Sequence, residues 1–551
     1  MNFWGDFNGK LFLVLLAAFL LRLFGIGYGL PLWVVADEPP AILGALKMME
    51  LGSLIPAFHS EEFKNILYFP PYLSYLYLIP FSLVLGFKFL FFGGTFTEFK
   101  SFIIADPSSL FLAARFISAL FGVGTVWLTY KIGKNIFKKE AVGLLAAAFL
   151  ALSFLHVDFS HWARHWVPVT FVFALVFYLL SRDDFSLKKK YISVALVAGL
   201  GVGINYQALL AAVFMAFWFF FYDRPPLKKI FREKWIYAPP AILIGLGFLA
   251  FLLNPPGLVV SSENITGQTR SFVGFLGGYG FYLEGLFKAE PALLLFLILG
   301  LVFSFFYKRE YFLPVFGFIL SYVAIFYFIF FHLDRYILML YPVFAVSAGY
   351  GLYAVWEKAA GSFKPAVAIL GALAFLIMLM GVLRLDFLLL KNDTRLQAAS
   401  WIRAHVPKGA KIIVLARLAR LPSLPQAIAE QEALDPDSLR KIDEAERTLP
   451  SRFLPEKRYH ALNLYTVKAG KFFENPGAYL ESRGYEYLVL SPEFAELRGA
   501  DDYFQNTGET LETFEGFRQN EDDVTNGFGG GLKKIFEREN NGPTMVIKKI
   551  E

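Results

Sequence analysis

Apolar runs close to the length of a membrane-crossing helix recur along the first 386 residues, and no soluble fold accommodates such a series. They lie at about 11 to 30, 109 to 131, 141 to 157, 166 to 182, 191 to 206, 207 to 222, 235 to 254, 290 to 306, 311 to 331, 335 to 356 and 364 to 386, against the ~20 residues a helix needs to cross the hydrocarbon core. Eleven crossings place the two ends of this region on opposite faces. Basic clusters at Lys131, Lys134, Lys138 and Lys139, at Lys188, Lys189 and Lys190, and at Lys228, Lys229, Arg232 and Lys234 all fall on the side of the N-terminus. The positive-inside rule assigns that side to the cytoplasm, and Lys308, Arg309, Lys358 and Lys364 agree with it. The expected protein is α-helical and multi-pass, in the plasma membrane, with a cytoplasmic N-terminus.

The run from Phe69 to Phe92 reads as a twelfth span on hydropathy alone. A crossing there would move the cluster from Lys131 to Lys139 to the wrong side. Pro70, Pro71, Pro80, Lys88 and the tyrosines Tyr72, Tyr75 and Tyr77 suit a re-entrant or interfacial helix lying among headgroups. The outer face then carries a long loop over 31 to 108, a second over 255 to 289, and everything after about 390. Beyond Asp386 the sequence turns charged, with frequent Pro and Gly. This divides the chain into a transmembrane domain over 1 to 390 and a small extracytoplasmic α/β domain over 391 to 551. A helix is expected over Thr394 to His405, with strands over Lys411 to Ala416, Tyr485 to Leu490 and Thr544 to Ile550. Gly527 to Gly531 reads as a flexible turn, since no Lys-Ser/Thr pattern follows it. Asn264-Ile265-Thr266 and Asn392-Asp393-Thr394 are glycosylation sequons on the outer side.

Composition narrows the chemistry. Only 18% of residues are charged and 56% are hydrophobic, whereas soluble domains carry about 25% charged residues. The 63 Phe and 27 Tyr suit lipid-facing helices and interfacial belts. The absence of Cys excludes disulfides, thiolate metal sites and a cysteine nucleophile. A net charge of +6 resides in short loop clusters, which points to membrane lipid and not to nucleic acid.

Two adjacent carboxylates, Asp37 and Glu38, follow the first apolar run. A carboxylate at the mouth of an apolar helix can act as general base on an incoming hydroxyl or amine, and Asp37 is the candidate. The alternative is that both residues cap a helix beginning at Pro39. A second polar and aromatic cluster runs from His156 to Trp166 on the same face. On a continuous helix Asp158, His161 and His165 would share one side, able to bind a cation or, with Arg164, an anionic headgroup. A divalent metal is one such cation. The alternative is an interfacial belt in which Trp162 and Trp166 anchor the helix and Arg164 meets lipid phosphate.

The order of these segments resembles a family. Asp37-Glu38-Pro39, Phe69-Pro70-Pro71-Tyr72, the run from Ala114-Arg115 to Phe121-Gly122, the stretch from His156 to Phe171, Gly199-Leu200-Gly201-Val202-Gly203, Asp334-Arg335-Tyr336 leading to Leu340-Tyr341-Pro342, and Thr394-Arg395 to Trp401-Ile402 together resemble the polyprenyl-phosphate-dependent glycosyltransferases of the GT-C fold. The nearest groups are the protein O-mannosyltransferase-like and aminoarabinose-transferase-like enzymes, similar to glycosyltransferase family 39. The resemblance implies a sugar donor on polyprenyl or dolichyl phosphate at the outer face, and a protein, lipid or glycan acceptor activated by Asp37. It implies an inverting transfer with Glu38 or Asp158 as further carboxylates. Cationic partners for the released phosphate would be Arg335 and Arg115, with His161, Arg164, His165, Tyr72 and Asn205 as further substrate or carrier contacts.

Two positions depart from the pattern. Trp166 stands where related proteins commonly carry an acidic residue, and Asn205 stands where a Lys is common. Asp158 lies eight residues from Trp166, about 12 Å along a helix. These changes keep open a catalytically inactive relative that binds lipid-linked sugar or glycan. A transporter would instead show two related halves with broken helices at the midplane, and the sequence has no such symmetry.

Overall fold

The computed structural model describes residues 9–35, 37–64, 66–230, 232–255, 272–329, 333–435, 439–464, 472, 475–493, 501–517 and 531–550. The sequon at Asn264 and most of the glycine turn from Gly527 lie outside these residues.

The membrane region is built from helices whose apolar faces run all the way round. In chain order they are α1 (Gly9–Leu20), α2 (Pro39–Leu51), α3 (Tyr72–Leu90), α4 (Phe96–Ala105), α5 (Ser108–Phe137), α6 (Glu140–Ala151), α7 (Phe154–Ser160), α8 (Trp166–Leu180), α9 (Leu187–Val202), α10 (Ala211–Trp218), α11 (Ala238–Leu253), α12 (Phe272–Ala289), α13 (Pro291–Tyr307), α14 (Arg309–Ile329), α15 (Tyr341–Lys358) and α16 (Lys364–Leu390). A 3-10 turn over Tyr206–Leu210 and a π turn over Phe219–Asp223 extend α10, and a 3-10 turn over Asp334–Leu340 leads into α15. By length and apolarity, seven helical runs among the described residues could cross a membrane, and nine if each of two bent pairs counts as one span.

Side-chain contacts sort the helix ends into two faces. On one face Lys138 meets Asp183 at 2.6 Å, Lys190 meets Asp223 at 2.8 Å, and Lys358 lies 4.3 Å from the Tyr307 ring. On the other face Arg115 pairs with Glu38, Tyr72 N–H donates to Gly203 O at 2.9 Å, and Asn254 donates to the carbonyls of Leu67 and Phe69 at 3.1 and 2.8 Å. The eleven crossings expected from the sequence exceed the seven to nine runs counted by length and apolarity, and α1, α8 and α13 are shorter apolar helices of 12, 15 and 17 residues. Lys138, Lys190 and Lys358 gather at the first face, opposite the paired carboxylates.

Helix α3 is long and apolar enough to span, yet both of its ends belong to the carboxylate face. Its first residue, Tyr72, is bonded to Gly203. Its last turn packs Phe89 against Phe99 of α4 at 5.1 Å, and Glu98 of α4 pairs with Arg452 of the C-terminal domain. A helix about 28 Å long tied to one face at each end lies along that face. Its Leu83, Phe87, Leu90 and Phe91 are exposed, as expected for a helix meeting lipid.

The C-terminal domain is a five-stranded sheet, β1 (Lys411–Leu415), β2 (His460–Asn463), β3 (Tyr487–Leu490), β4 (Glu509–Phe514) and β5 (Met545–Lys549), in the order β2-β1-β3-β5-β4. β1 is an interior strand, parallel to both β2 and β3, and its unbroken Ile412-Ile413-Val414-Leu415 run is buried, as parallel strands covered on both faces require. β5 runs antiparallel to β3 and β4. β4 forms an edge whose Glu residues keep it from pairing further. Its helices include α17 (Thr394–His405), α18 (Pro425–Leu434), α19 (Lys441–Thr448) and α20 (Gly531–Glu537). α17 is N-capped by Asp393, whose carboxylate accepts from Arg395 N at 2.9 Å, pairs with the Arg395 guanidinium at 2.7 Å and accepts from Tyr28 Oη. This buried contact fixes the domain on the membrane region.

Candidate functional site

Glu38 and Asp37 are neighbours in sequence with opposite fates. Glu38 is fully buried, and the Arg115 guanidinium of α5 meets it through two bonds, Nε to Oε1 at 2.8 Å and Nη2 to Oε2 at 2.7 Å. Ala163 N donates to Oε1 at 2.7 Å. Arg115 Nη1 donates to the carbonyls of Ile26 and Tyr28 at 2.7 and 2.8 Å, and Trp162 covers the guanidinium at 5.4 Å. Both fork ends of Arg115 are thus spent within the protein. The pair clamps the turn after α1, the start of α2 and the turn before α8.

Asp37, held at φ 64°, points away from this clamp, and its side chain is 47% exposed. The left-handed backbone, which Asp tolerates better than most residues, reverses the chain so that adjacent carboxylates face different surroundings. Capping does not explain the pair: Glu38 is the N-cap position of α2 but makes no side-chain cap bond. Arg164 Nη2 donates to Asp37 Oδ2 at 2.5 Å. Desolvation raises the Asp37 pKa, but Arg164, Arg335 and His165 outweigh it and hold the carboxyl below its usual value. Asp37 is therefore ionised at neutral pH.

Around Asp37 stands a wall of rings and cations. His165 packs 4.6 Å from the Phe69 ring and 4.1 Å from Trp166. Burial pushes its pKa down to about 3, with Arg164 adding to the effect, so it is a neutral ring at neutral pH. Trp166 lies 5.4 Å from Tyr336, and the Arg335 guanidinium sits 5.8 Å from each of these rings. Arg335 Nε has no hydrogen-bond partner among the described residues. Trp166, where the sequence departs from the related pattern, is thus the platform against which Arg335 rests.

The other expected contacts fall in two groups. Tyr72 belongs to the rim: a Cβ at Gly203 would overlap its ring, so only glycine lets α9 approach α3 this closely. Asn205 is turned inward, and its Oδ1 accepts from Gln207 N at 2.8 Å to cap the following turn. Asp158 and His161 lie in a separate buried cluster. Asp158 accepts from Trp162 Nε1 at 3.3 Å, while His161 bridges the carbonyls of Val157 and Phe24 at 2.9 and 2.8 Å and lies 3.7 Å from Asp386. Arg22 and His156, 2.8 Å apart, complete that cluster.

This corrects the shared face expected for Asp158, His161 and His165. α7 ends at Ser160, and the turn over 161 to 165 swings His165 toward Asp37 while His161 stays with Asp386. Among the described residues no group of three His, Cys, Asp or Glu side chains is placed to hold a metal ion. The sequence reading missed Trp166 and Tyr336 as supports of Arg335, and Asp386 and Arg22 as partners in the second cluster.

Residues 103–253 match the family model described as dolichyl-phosphate-mannose-protein mannosyltransferase. That stretch contains Arg115, Asp158, His161, Arg164, His165 and Asn205, but neither Asp37 nor Arg335. No curated protein matches the chain. Among solved structures, the oligosaccharyltransferase of Archaeoglobus fulgidus in complex with zinc and sulfate is 14% identical with a TM-score of 0.49, over 88% of this chain and 68% of that one. ArnT from Cupriavidus metallidurans bound to undecaprenyl phosphate is 15% identical with a TM-score of 0.42, over 98% of each chain. The arabinofuranosyltransferase AftD from Mycobacteria is 13% identical with a TM-score of 0.37, over 97% of this chain and 41% of that one. No residue role carries over from these structures. The multi-pass helical architecture with its small C-terminal sheet, and the family match, agree with the GT-C glycosyltransferase resemblance read from the sequence.

Proposed function

We propose that this protein transfers a sugar from a polyprenyl-phosphate donor to an acceptor at the extracytoplasmic face, with inversion and with Asp37 as general base. One observation carries the reading: a half-exposed, ionised carboxylate is fixed by Arg164, beside a second guanidinium, Arg335, whose Nε has no partner among the described residues. The acceptor hydroxyl or amine gives its proton to Asp37 as its lone pair attacks the anomeric carbon. The bond from that carbon to the phosphate oxygen breaks, and its electron pair leaves with the carrier phosphate. A single displacement of this kind inverts the anomeric configuration.

Arg335 is suited to meet the charge that gathers on the phosphate, since a planar guanidinium can pair with two of its oxygens. Trp166 and Tyr336 hold it in place before the charge develops. Arg164 keeps Asp37 ionised and aimed, which makes Asp37 a weaker base than an unpaired carboxylate. Its contribution comes through position as the nucleophile loses its proton late in attack. The clamp of Glu38 and Arg115 is assigned to positioning Asp37. A second reading, a catalytically inactive relative, is favoured by Trp166 in the place of an acid and by the Arg164 pairing that occupies Asp37.

Native mass spectrometry of the purified protein tests the donor. Retained polyprenyl phosphate or its glycoside, with retention weakened in Arg335→Ala, supports the reading. Equal retention by the Arg335→Ala protein would remove Arg335 from carrier binding.

A further inference from the structure

Away from Asp37, a groove between the membrane region and the C-terminal domain changes character along its length. Its membrane end is an apolar cavity of about 580 Å³ between α2, α3 and α4, lined by side chains such as Leu46, Leu85, Phe99 and Ile103. Ile104, Ile442 and Ala445 line both this cavity and a smaller cleft of about 150 Å³ beneath α17 and α19. Arg403 and Lys457 line that cleft and continue into an outer recess, which adds Lys408 and Glu456. The three spaces thus share walls in sequence, from hydrocarbon-like to cationic.

The charge at each end is specific. At the outer end, Arg403, Lys408 and Lys457 pair with no carboxylate among the described residues, and Glu456 is the acid beside them. Arg420, deeper in the cleft, already meets two carboxylates, Asp443 at 2.7 Å and Glu446 at 2.8 Å, and offers no free charge. At the apolar end Lys47 is paired with Glu50 at 2.7 Å. Lys100, which also lines the apolar cavity, lies 5.4 Å from the Phe96 ring; the outer end gathers three cations against one acid, so among the described residues the excess of positive charge is greater there than at the apolar end. The side of α3 that faces away from the protein carries exposed Leu83, Phe87 and Leu90, so the cavity opens beside a surface that meets lipid.

We infer that this groove binds a membrane lipid with a phosphate headgroup, its hydrocarbon chains in the cavity of α2, α3 and α4 and its phosphate among Arg403, Lys408 and Lys457. Apolar chains gain by leaving water, and a phosphate gains from charge-assisted bonds to the three cations. None of these residues belongs to the Asp37 centre, so the site stands whether or not the transfer reading holds.

The full-length protein in neutral detergent, offered phosphatidylglycerol and phosphatidylcholine with matched acyl chains, tests this by native mass spectrometry. Phosphatidylglycerol should be retained in preference. Arg403→Gln with Lys408→Gln, both on exposed side chains, should lower that retention about fivefold for each cation removed. Gly86→Leu should lower retention of both lipids, because a Cβ at Gly86 meets nothing within 4 Å and the added side chain enters the cavity it lines. Equal retention of the two lipids, or an unchanged preference in the double Gln protein, would overturn the assignment. The surface pair keeps the test decisive should the Gly86 variant fail to fold.

Discussion

Arg115 offers the sharpest division between a scaffold and a ligand contact. Its guanidinium spends its donors on Glu38 and on the carbonyls of Ile26 and Tyr28, with no exposure of either charged side chain. Removing one partner of a buried pair leaves an uncompensated charge and costs about 3–5 kcal/mol. Arg115→Gln leaves Glu38 with the Ala163 N–H as its charge-stabilising contact, so it should fall in that range. Glu38→Gln should cost a similar amount by stranding the guanidinium. The double Gln variant removes both charges together, so it should be less destabilised than the sum of the singles, with a coupling of about 3 kcal/mol. Some cost remains in the double, since two carbonyls lose strong donors at about 1–3 kcal/mol each. Reversible unfolding in mixed micelles for the four proteins measures the cycle. An Arg115→Gln protein of unaltered stability that no longer binds carrier would refute the scaffold assignment and return Arg115 to the ligand.

Other outcomes follow from the same geometry. Gly203→Ala should destabilise the protein by about 1–3 kcal/mol, because the Tyr72 ring must move off α9; an unchanged unfolding midpoint would contradict the close approach. Asp37 is held below the usual carboxylate pKa and His165 down to about 3, so neither titrates between about pH 5 and 8. The stabilisation from the Asp37 ion pair is present above the unfolded pKa and is lost only as pH falls through the lower folded value. A transfer rate with an acid limb near pH 6 that moves with substitution of Asp37 would contradict this, whereas in Arg164→Ala the limb should move upward. Trp166→Leu should weaken carrier binding by loosening Arg335, with little effect on proton transfer. Carrier affinity equal to that of the unsubstituted protein would argue against the platform.

The helical runs were legible because long apolar stretches announce themselves in the sequence. Lys138, Lys190 and Lys358 lie at one set of helix ends, and the side they mark is an expectation drawn from their charge. For α3 the two signals part: its apolar length says span, while the charge pattern of the sequence places it along the interface. In the C-terminal domain β1 announces itself through Ile412 to Leu415, but β2 is a short His460-Ala461-Leu462-Asn463 run. The edge strand β4 reads Glu509 to Phe514 with exposed polar positions, a pattern shared with loops. The site was half legible. Asp37 stands out by sequence, yet its separation from Glu38 depends on a left-handed backbone at a non-glycine residue, and the Arg115 partner lies 77 positions away. The turn after Ser160 contains neither Gly nor Pro, so nothing local marks the break that parts His165 from His161. Such a break is set by tertiary contacts, here the Ala163 bond to Glu38 and the Arg164 pair with Asp37.

The central claim rests on Asp37 acting as the base, and Asp37→Asn tests it most directly. An amide keeps the size and most of the hydrogen bonding of the carboxylate but cannot take up the nucleophile's proton. With a defined polyprenyl-phosphate sugar and acceptor, single-turnover transfer should fall by about 10² to 10⁴, while binding of the carrier, measured on the same preparation, stays close to that of the unsubstituted protein. Transfer retained by the Asp37→Asn protein at the original rate would contradict the account and leave Asp37 as a structural partner of Arg164.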